Sequence, residues 1–406
     1  MHCLVLGKVW PEPASTAAGR RTCDLIGVLT AAGWRVSFAS PAHPSDRARA
    51  LSRDGVATYS VQVNDPAFDR WVAGLQPDIV IFDRFMTEEQ FGWRVAQQCP
   101  GALRVLDTSD LHCLRSAREV QLKLGGALQL KSETAVREIA AIYRSDLTLM
   151  ISEFEMAVLR REFSVPESLI AYWPFAVSPA EGGPTYQERE HFIMIGSFLH
   201  APNLDAARWC REAIWPRIRE ALPAAELHIY GSYGERYARE LHRPEAGFYF
   251  KGWANDAFST MARYRVNLAP LRFGAGLKGK IFDGFRTGTP SVATPIAAEG
   301  IFEGPEWSRD SADSFAQAAV ELYRDAAGWQ ARQRAERLAC QKRFAPQYWQ
   351  PRLLEILDCA LADRDQQREA NFTGQMLRHH HHRSTEYLSR WIEAKNRSPD
   401  SEAPVA

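Results

Sequence analysis

In residues 273–290, FGAGLKGKIFDGFRTGTP, the three glycines and two lysines of 274–280 run into an apolar stripe that carries one carboxylate, Asp283. Gly274 and Gly276 have no Cβ, so main-chain amides there can approach an anion closely. A helix that starts after them presents unpaired N–H groups and the positive end of its dipole. Lys278 and Lys280 add charge, and Arg272 stands one residue upstream of the stretch. This is chemistry for a phosphate or diphosphate. Asp283, one turn inside the helix, falls beside such a group rather than on it, where a carboxylate can accept two hydrogen bonds from the diol of a nucleotide's ribose. The spacing Gly274 to Lys280 also reads G-x-x-x-x-G-K, but Ile281 stands where a nucleotide hydrolase needs a magnesium-binding hydroxyl.

A second group lies at LDTSDLHCLR (106–115), where Asp107, Asp110 and His112 follow an apolar run. His112 is the candidate for proton handling, with Asp110 to orient it. Asp83, Arg84, Glu88 and Glu89 offer polar contacts to hydroxyls after another such run, although a solvated helix start explains the two glutamates more simply. In SEFEMAVLRREF (152–163), Ser152 and Glu155 have the spacing of a helix capping box and read as structural. The histidines 379–382 are consecutive, so on a helix they diverge and do not converge on one metal ion.

The elements that must position these residues alternate regularly. HCLVLG (2–7) and HFIMIG (191–196) each close an apolar run with glycine before a helical pattern, the first helix starting near Gly19 and the second near Asn203 as its cap. RVSFAS, PDIVIFD, ALRVLD and DLTLMI follow in the first half, and AELHIYG, GFYFKG, RVNLAPL and PSVATP in the second. Continuous apolar runs separated by helices predict buried parallel strands joined by right-handed crossovers. The class is α/β, with two doubly wound, Rossmann-like domains at 1–178 and 190–345. Proline, glycine and charge replace periodicity between them. Residues 346–406 predict C-terminal helices with a disordered end.

Bulk properties exclude several functions. Lys plus Arg and Asp plus Glu both number 49, so no global field recruits nucleic acid or anionic lipid. The 406 residues are 46% hydrophobic and 24% charged, as in a globular protein. The seven cysteines are odd in number and scattered, which predicts a reducing, cytoplasmic setting. No apolar run reaches the roughly 20 residues of a membrane span.

HFIMIGSFLHAPNLDAARW, WPRIREALPAAELHIYG and FKGWANDAFSTMARYRVNLAPLRFGAGLKGKIFDGFRTGTPSVATPIAAEGI together resemble the nucleotide-binding half of group 1, family 4-like glycosyltransferases. The resemblance is strong over about 190–302 and looser over 1–175. It implies the GT-B architecture, in which two such domains face a central cleft, and C-terminal helices that cross back to the first domain. It implies sugar transfer from a nucleotide-diphosphate donor to an acceptor hydroxyl on a glycan, lipid or small molecule, with retention and without a metal or bound cofactor. Asp283 takes the place of the family's ribose-binding glutamate, Gly19 that of a glycine near sugar and phosphate, and His112 that of a histidine near the donor sugar. Ala275 stands where the family often has a second glutamate, and GSFLHAPN lacks its usual arginine and lysine pair. A nucleotide-sugar epimerase or hydrolase, or an inactive GT-B-like binding protein, are the alternatives. A peripheral contact with a membrane stays open.

Overall fold

The computed structural model describes residues 1–397; the expected disordered end falls almost entirely outside them. Two parallel sheets organise the chain. The first runs β3-β2-β1-β4-β5-β6-β7, from β1 (His2–Leu6), β2 (Arg35–Ser40), β3 (Ala57–Ser60), β4 (Ile79–Asp83), β5 (Leu103–Asp107), β6 (Leu147–Met150) and β7 (Ile170–Tyr172). The second runs β10-β9-β8-β11-β12, from β8 (Glu190–Ile195), β9 (Leu227–Tyr230), β10 (Phe248–Gly252), β11 (Tyr264–Ala269) and β12 (Ser291–Ala293). Every strand pair in both is parallel.

Burial explains the runs of Val, Ile, Leu and Phe. β1, β4 and β5 are buried at every position, because helices cover both faces of a parallel sheet. One face of the first sheet packs Leu4, Leu6, Val80, Phe82 and Leu106, and the other packs Cys3, Val5, Ile79, Ile81 and Val105, the period-2 alternation of a strand. β3 and β7 escaped the sequence reading, being short edge strands that are only partly buried.

Each sheet reverses its strand order between its first strand and its fourth, β1 beside β4 and β8 beside β11. At such a switch point the loops leaving the two strands diverge to opposite faces and open a crevice at the carboxyl ends, where ligands bind. The loops after β1, β4, β8 and β11 hold most of the candidate residues.

The helix Pro346–Ala362 belongs to the first domain's core although it follows the second in sequence. Leu353 and Leu357 are fully buried there with Trp173, whose indole Nε1 donates to the Trp349 carbonyl at 3.1 Å. Later helices stay on that lobe: Asn371 donates to the Tyr143 carbonyl, and Ser389 and Glu393 hold the buried Arg94. No helix among the described residues is long and apolar enough to cross a membrane.

Candidate active-site cleft

The first domain's contribution is built on two helix starts. The helix Ala17–Ala31 begins at Thr16, whose hydroxyl accepts the Gly19 N–H at 3.0 Å. A Cβ on Gly19 would stand 2.6 Å from the Glu12 nitrogen, so glycine there lets the loop after β1 fold tightly over the helix. The helix His112–Leu124 is capped from outside: the Glu138 carboxylate accepts the N–H groups of His112 and Cys113, each at 2.9 Å. The His112 ring stands edge-on to Phe85, with Nδ1 3.3 Å from Glu138 and 3.8 Å from Asp110. Asp110 therefore does not orient His112 through a direct hydrogen bond. Its carboxylate pairs with Arg115, and although burial alone pushes the group up, Arg115 and His112 hold it at about 2.

The second domain supplies the glycine loop and the helix Gly279–Thr287. Gly276 has φ near 63°, a conformation natural to glycine, and a Cβ there would lie 2.9 Å from the Cβ of Asp110. Gly274 has φ near 152°. The loop faces the gap between the lobes, and the first domain covers it: Ala275 packs into the first domain's core. Lys278 is buried, with Nζ donating to the Gly276 carbonyl at 2.5 Å. Lys280 reaches the Asn203 side-chain oxygen at 2.8 Å, and burial pushes its amine down to about 8 against the pull of Asp283. Arg272 sits at the rim, paired with Asp205.

Contacts across the gap are numerous. Arg20 pairs with Asp283 and lies over the Phe258 ring, and Arg286 stands 3.8 Å from Asp283. Arg118 makes a bidentate pair with Glu299 at 2.9 and 2.7 Å and donates to the Gly274 carbonyl. The Tyr233 hydroxyl donates to Glu12, and the Arg47 guanidinium lies 4.7 Å over the Tyr233 ring and 4.9 Å over Trp253. Ala17 meets Gly279, where any Cβ would stand 2.6 Å away, so two helix N-termini face the same space. Their dipoles, with Arg20 and Lys280, make a strongly anion-attracting pole.

Residues 189–325 match the sequence family of glycosyl transferases group 1. A glycosyltransferase from Rickettsia africae ESF-5 superposes with a TM-score of 0.65 at 12% identity, over 89% of this chain and 98% of that one. Anabaena HepE, solved with UDP and glucose, superposes with a TM-score of 0.66 at 12% identity, over 88% of this chain and 99% of that one. WaaG, a glycosyltransferase of lipopolysaccharide biosynthesis, does so with 0.60 at 13%, over 88% and 99%. The fold is GT-B, and the group 1 glycosyltransferase match falls on its second domain. A search of curated protein sequences returns no match.

Four expectations need correction within this GT-B chain. Glu155 is no helix cap: Ser152 makes no side-chain cap bond, and the Glu155 carboxyl is buried in the cleft, accepting from Leu111 N–H at 2.9 Å and Gly276 N–H at 2.7 Å. The Gly276 amide is consequently occupied rather than bare. Glu88 is not solvated but buried against Arg144 at 3.0 Å. The helix starting at Ala201 is preceded by His200 at the cap position, and Asn203 instead donates to the Ser197 carbonyl and accepts from Lys280.

His200 is a cleft residue that sequence reasoning missed. It occupies the segment lacking the family's basic pair, solvent-exposed at the cap of the Ala201 helix and within electrostatic reach of Asp110, Arg115, Lys278 and Lys280. Among the described residues no group of three or more His, Cys, Asp or Glu is placed to hold a metal ion.

Proposed function

We propose that this GT-B protein transfers a sugar from a nucleotide-diphosphate donor to an acceptor hydroxyl. The observation that carries the reading is the anion-attracting pole where the Ala17 and Gly279 helices meet, with Arg20 and Lys280 beside it and Asp283 one turn inside. The group 1 match over 189–325 supports it, as does the likeness to Anabaena HepE, which was solved with UDP and glucose. In this reading residues 190–345 bind the donor and residues 1–178 the acceptor, which is a glycan, a lipid-linked species or a small molecule.

Charge develops on the leaving diphosphate as the glycosidic bond breaks. Preorganised donors aimed at that charge lower the barrier most. Lys280, Arg20 and the two helix ends fill that role, so we assign the reaction no metal and no resident cofactor. The ribose diol displaces Arg20 from Asp283, freeing the guanidinium to turn to the diphosphate. His112 lies on the first domain's side of the cleft, at the carboxyl end of β5, where the donor sugar would be exposed. A retained anomeric configuration follows the family. The seven free cysteines fit a cytoplasmic setting.

Calorimetry with UDP, GDP and ADP, paired with an assay for donor-dependent release of nucleoside diphosphate, tests the reading. We expect one diphosphate to bind at micromolar strength, and Asp283→Ala and Lys280→Ala to weaken it and abolish release. Full activity in both variants would refute the site.

A further inference from the structure

Glu155 is a buried carboxyl group that the proposed chemistry does not use. One of its oxygens accepts two main-chain N–H groups from opposite lobes, Leu111 directly before the His112 helix and Gly276 in the glycine loop. Its other oxygen is buried with no hydrogen-bond partner. The two segments it joins carry Asp110 and His112 on one side and Gly274 and Lys278, ahead of Lys280, on the other, so one buried side chain ties both at their main chains. The fit is close: a methyl group on Gly276 would stand 3.2 Å from the Ser109 carbonyl as well as colliding with Asp110.

We propose that Glu155 is a positioning residue, an interdomain clasp that holds the glycine loop against the His112 loop and so sets the closed geometry of the cleft. The inference rests on the nucleotide-sugar reading for its catalytic consequence but not for the clasp itself. Two properties of the group support it. A carboxylate would leave a charged, unpartnered oxygen buried, whereas the neutral acid accepts both N–H groups without that penalty. Burial pushes the group up to about 8, reinforced by the Asp110 charge and opposed by the two N–H donors and Lys278. The titratable groups facing it are Asp110 and Cys113 from the first lobe and Lys278 from the second, Lys278 itself feeling Glu299 and Arg118.

The sign of the proton linkage follows. In an open cleft the acid would ionise near its ordinary 4.5, while the clasped form keeps its proton to about 8. Closure thus takes up a proton within that window, weakens as pH rises across it, and levels off above it. Glutamine at this position keeps the accepting oxygen and cannot ionise.

The test compares the full-length wild type with Glu155→Gln and Glu155→Ala. Small-angle scattering without nucleotide reads the clasp alone: Glu155→Ala is expected to be more expanded than the wild type, and Glu155→Gln to match it. Turnover of a UDP-sugar donor is expected to fall on the order of a hundredfold in Glu155→Ala through kcat, with glutamine restoring it. The ratio of UDP affinity between wild type and Glu155→Gln should fall with pH between about 5 and 8. An alanine variant with wild-type scattering, or one with only a lowered melting temperature and unchanged kcat per folded molecule, would overturn the proposal. If no nucleotide binds the wild type but the alanine variant still expands, the nucleotide reading fails and the clasp stands.

Discussion

Lys280 is the residue whose chemistry is most exposed to measurement. Burial lowers its amine to about 8, so the charge offered to a diphosphate is complete at neutral pH and is lost above that value. A depressed lysine binds its proton less tightly than a free one, so the affinity step lies below the ordinary lysine range. In the Glu155→Gln background, where no carboxyl at 155 can titrate, we expect the calorimetric affinity for UDP to be steady to about pH 7 and to fall above pH 8. Lys280→Arg should abolish that fall, since a guanidinium stays charged throughout. Lys280→Ala at pH 7 should cost about 2 kcal/mol, the range of a charge-assisted hydrogen bond. The glycines, the lysines and Asp283 were legible in the sequence because they sit within one loop and one helical turn. Glu155 was not. Its partners lie 44 and 121 residues away, and locally it has the spacing of a cap. Nor could the sequence tell that Asp283 is paired to Arg20, 263 residues away.

At the scale of elements, the strands and helices that carry the site were readable because burial on both faces demands long apolar runs and glycine ends them. Boundaries failed where tertiary contacts overrode local preference, as when Lys280 and Ser197 recruited Asn203 away from capping. The helix Pro346–Ala362 shows the same principle energetically. Leu357 has no exposure, and it packs on a lobe whose last strand ended at Tyr172. Leu357→Ala is therefore expected to destabilise the first domain by about 2–5 kcal/mol, the usual loss for a buried leucine. Urea unfolding followed by the fluorescence of Trp173 and Trp349 checks it. A transition that leaves these tryptophans unaffected would contradict the assignment of the helix to that core.

Across the whole molecule, the lobes meet through polar contacts that the approach of a substrate can exchange: Arg20 with Asp283, Glu12 with Tyr233, and Arg118 with Glu299 and the Gly274 carbonyl. Arg118, like Glu155, holds the glycine loop by its backbone. Arg118→Ala is expected to raise hydrogen exchange in a peptide covering 273–278 while leaving β5 and β11 protected, because the sheets do not depend on it. Equal exchange in both proteins would remove Arg118 from the interface. The chain passes between the lobes twice, once after Tyr172 and again near Ala345, and the two passages are joined: Val177 N–H donates to the Phe344 carbonyl at 2.7 Å. The two crossings thus meet at one hydrogen-bonded point, and the polypeptide itself ties the lobes together along that one edge.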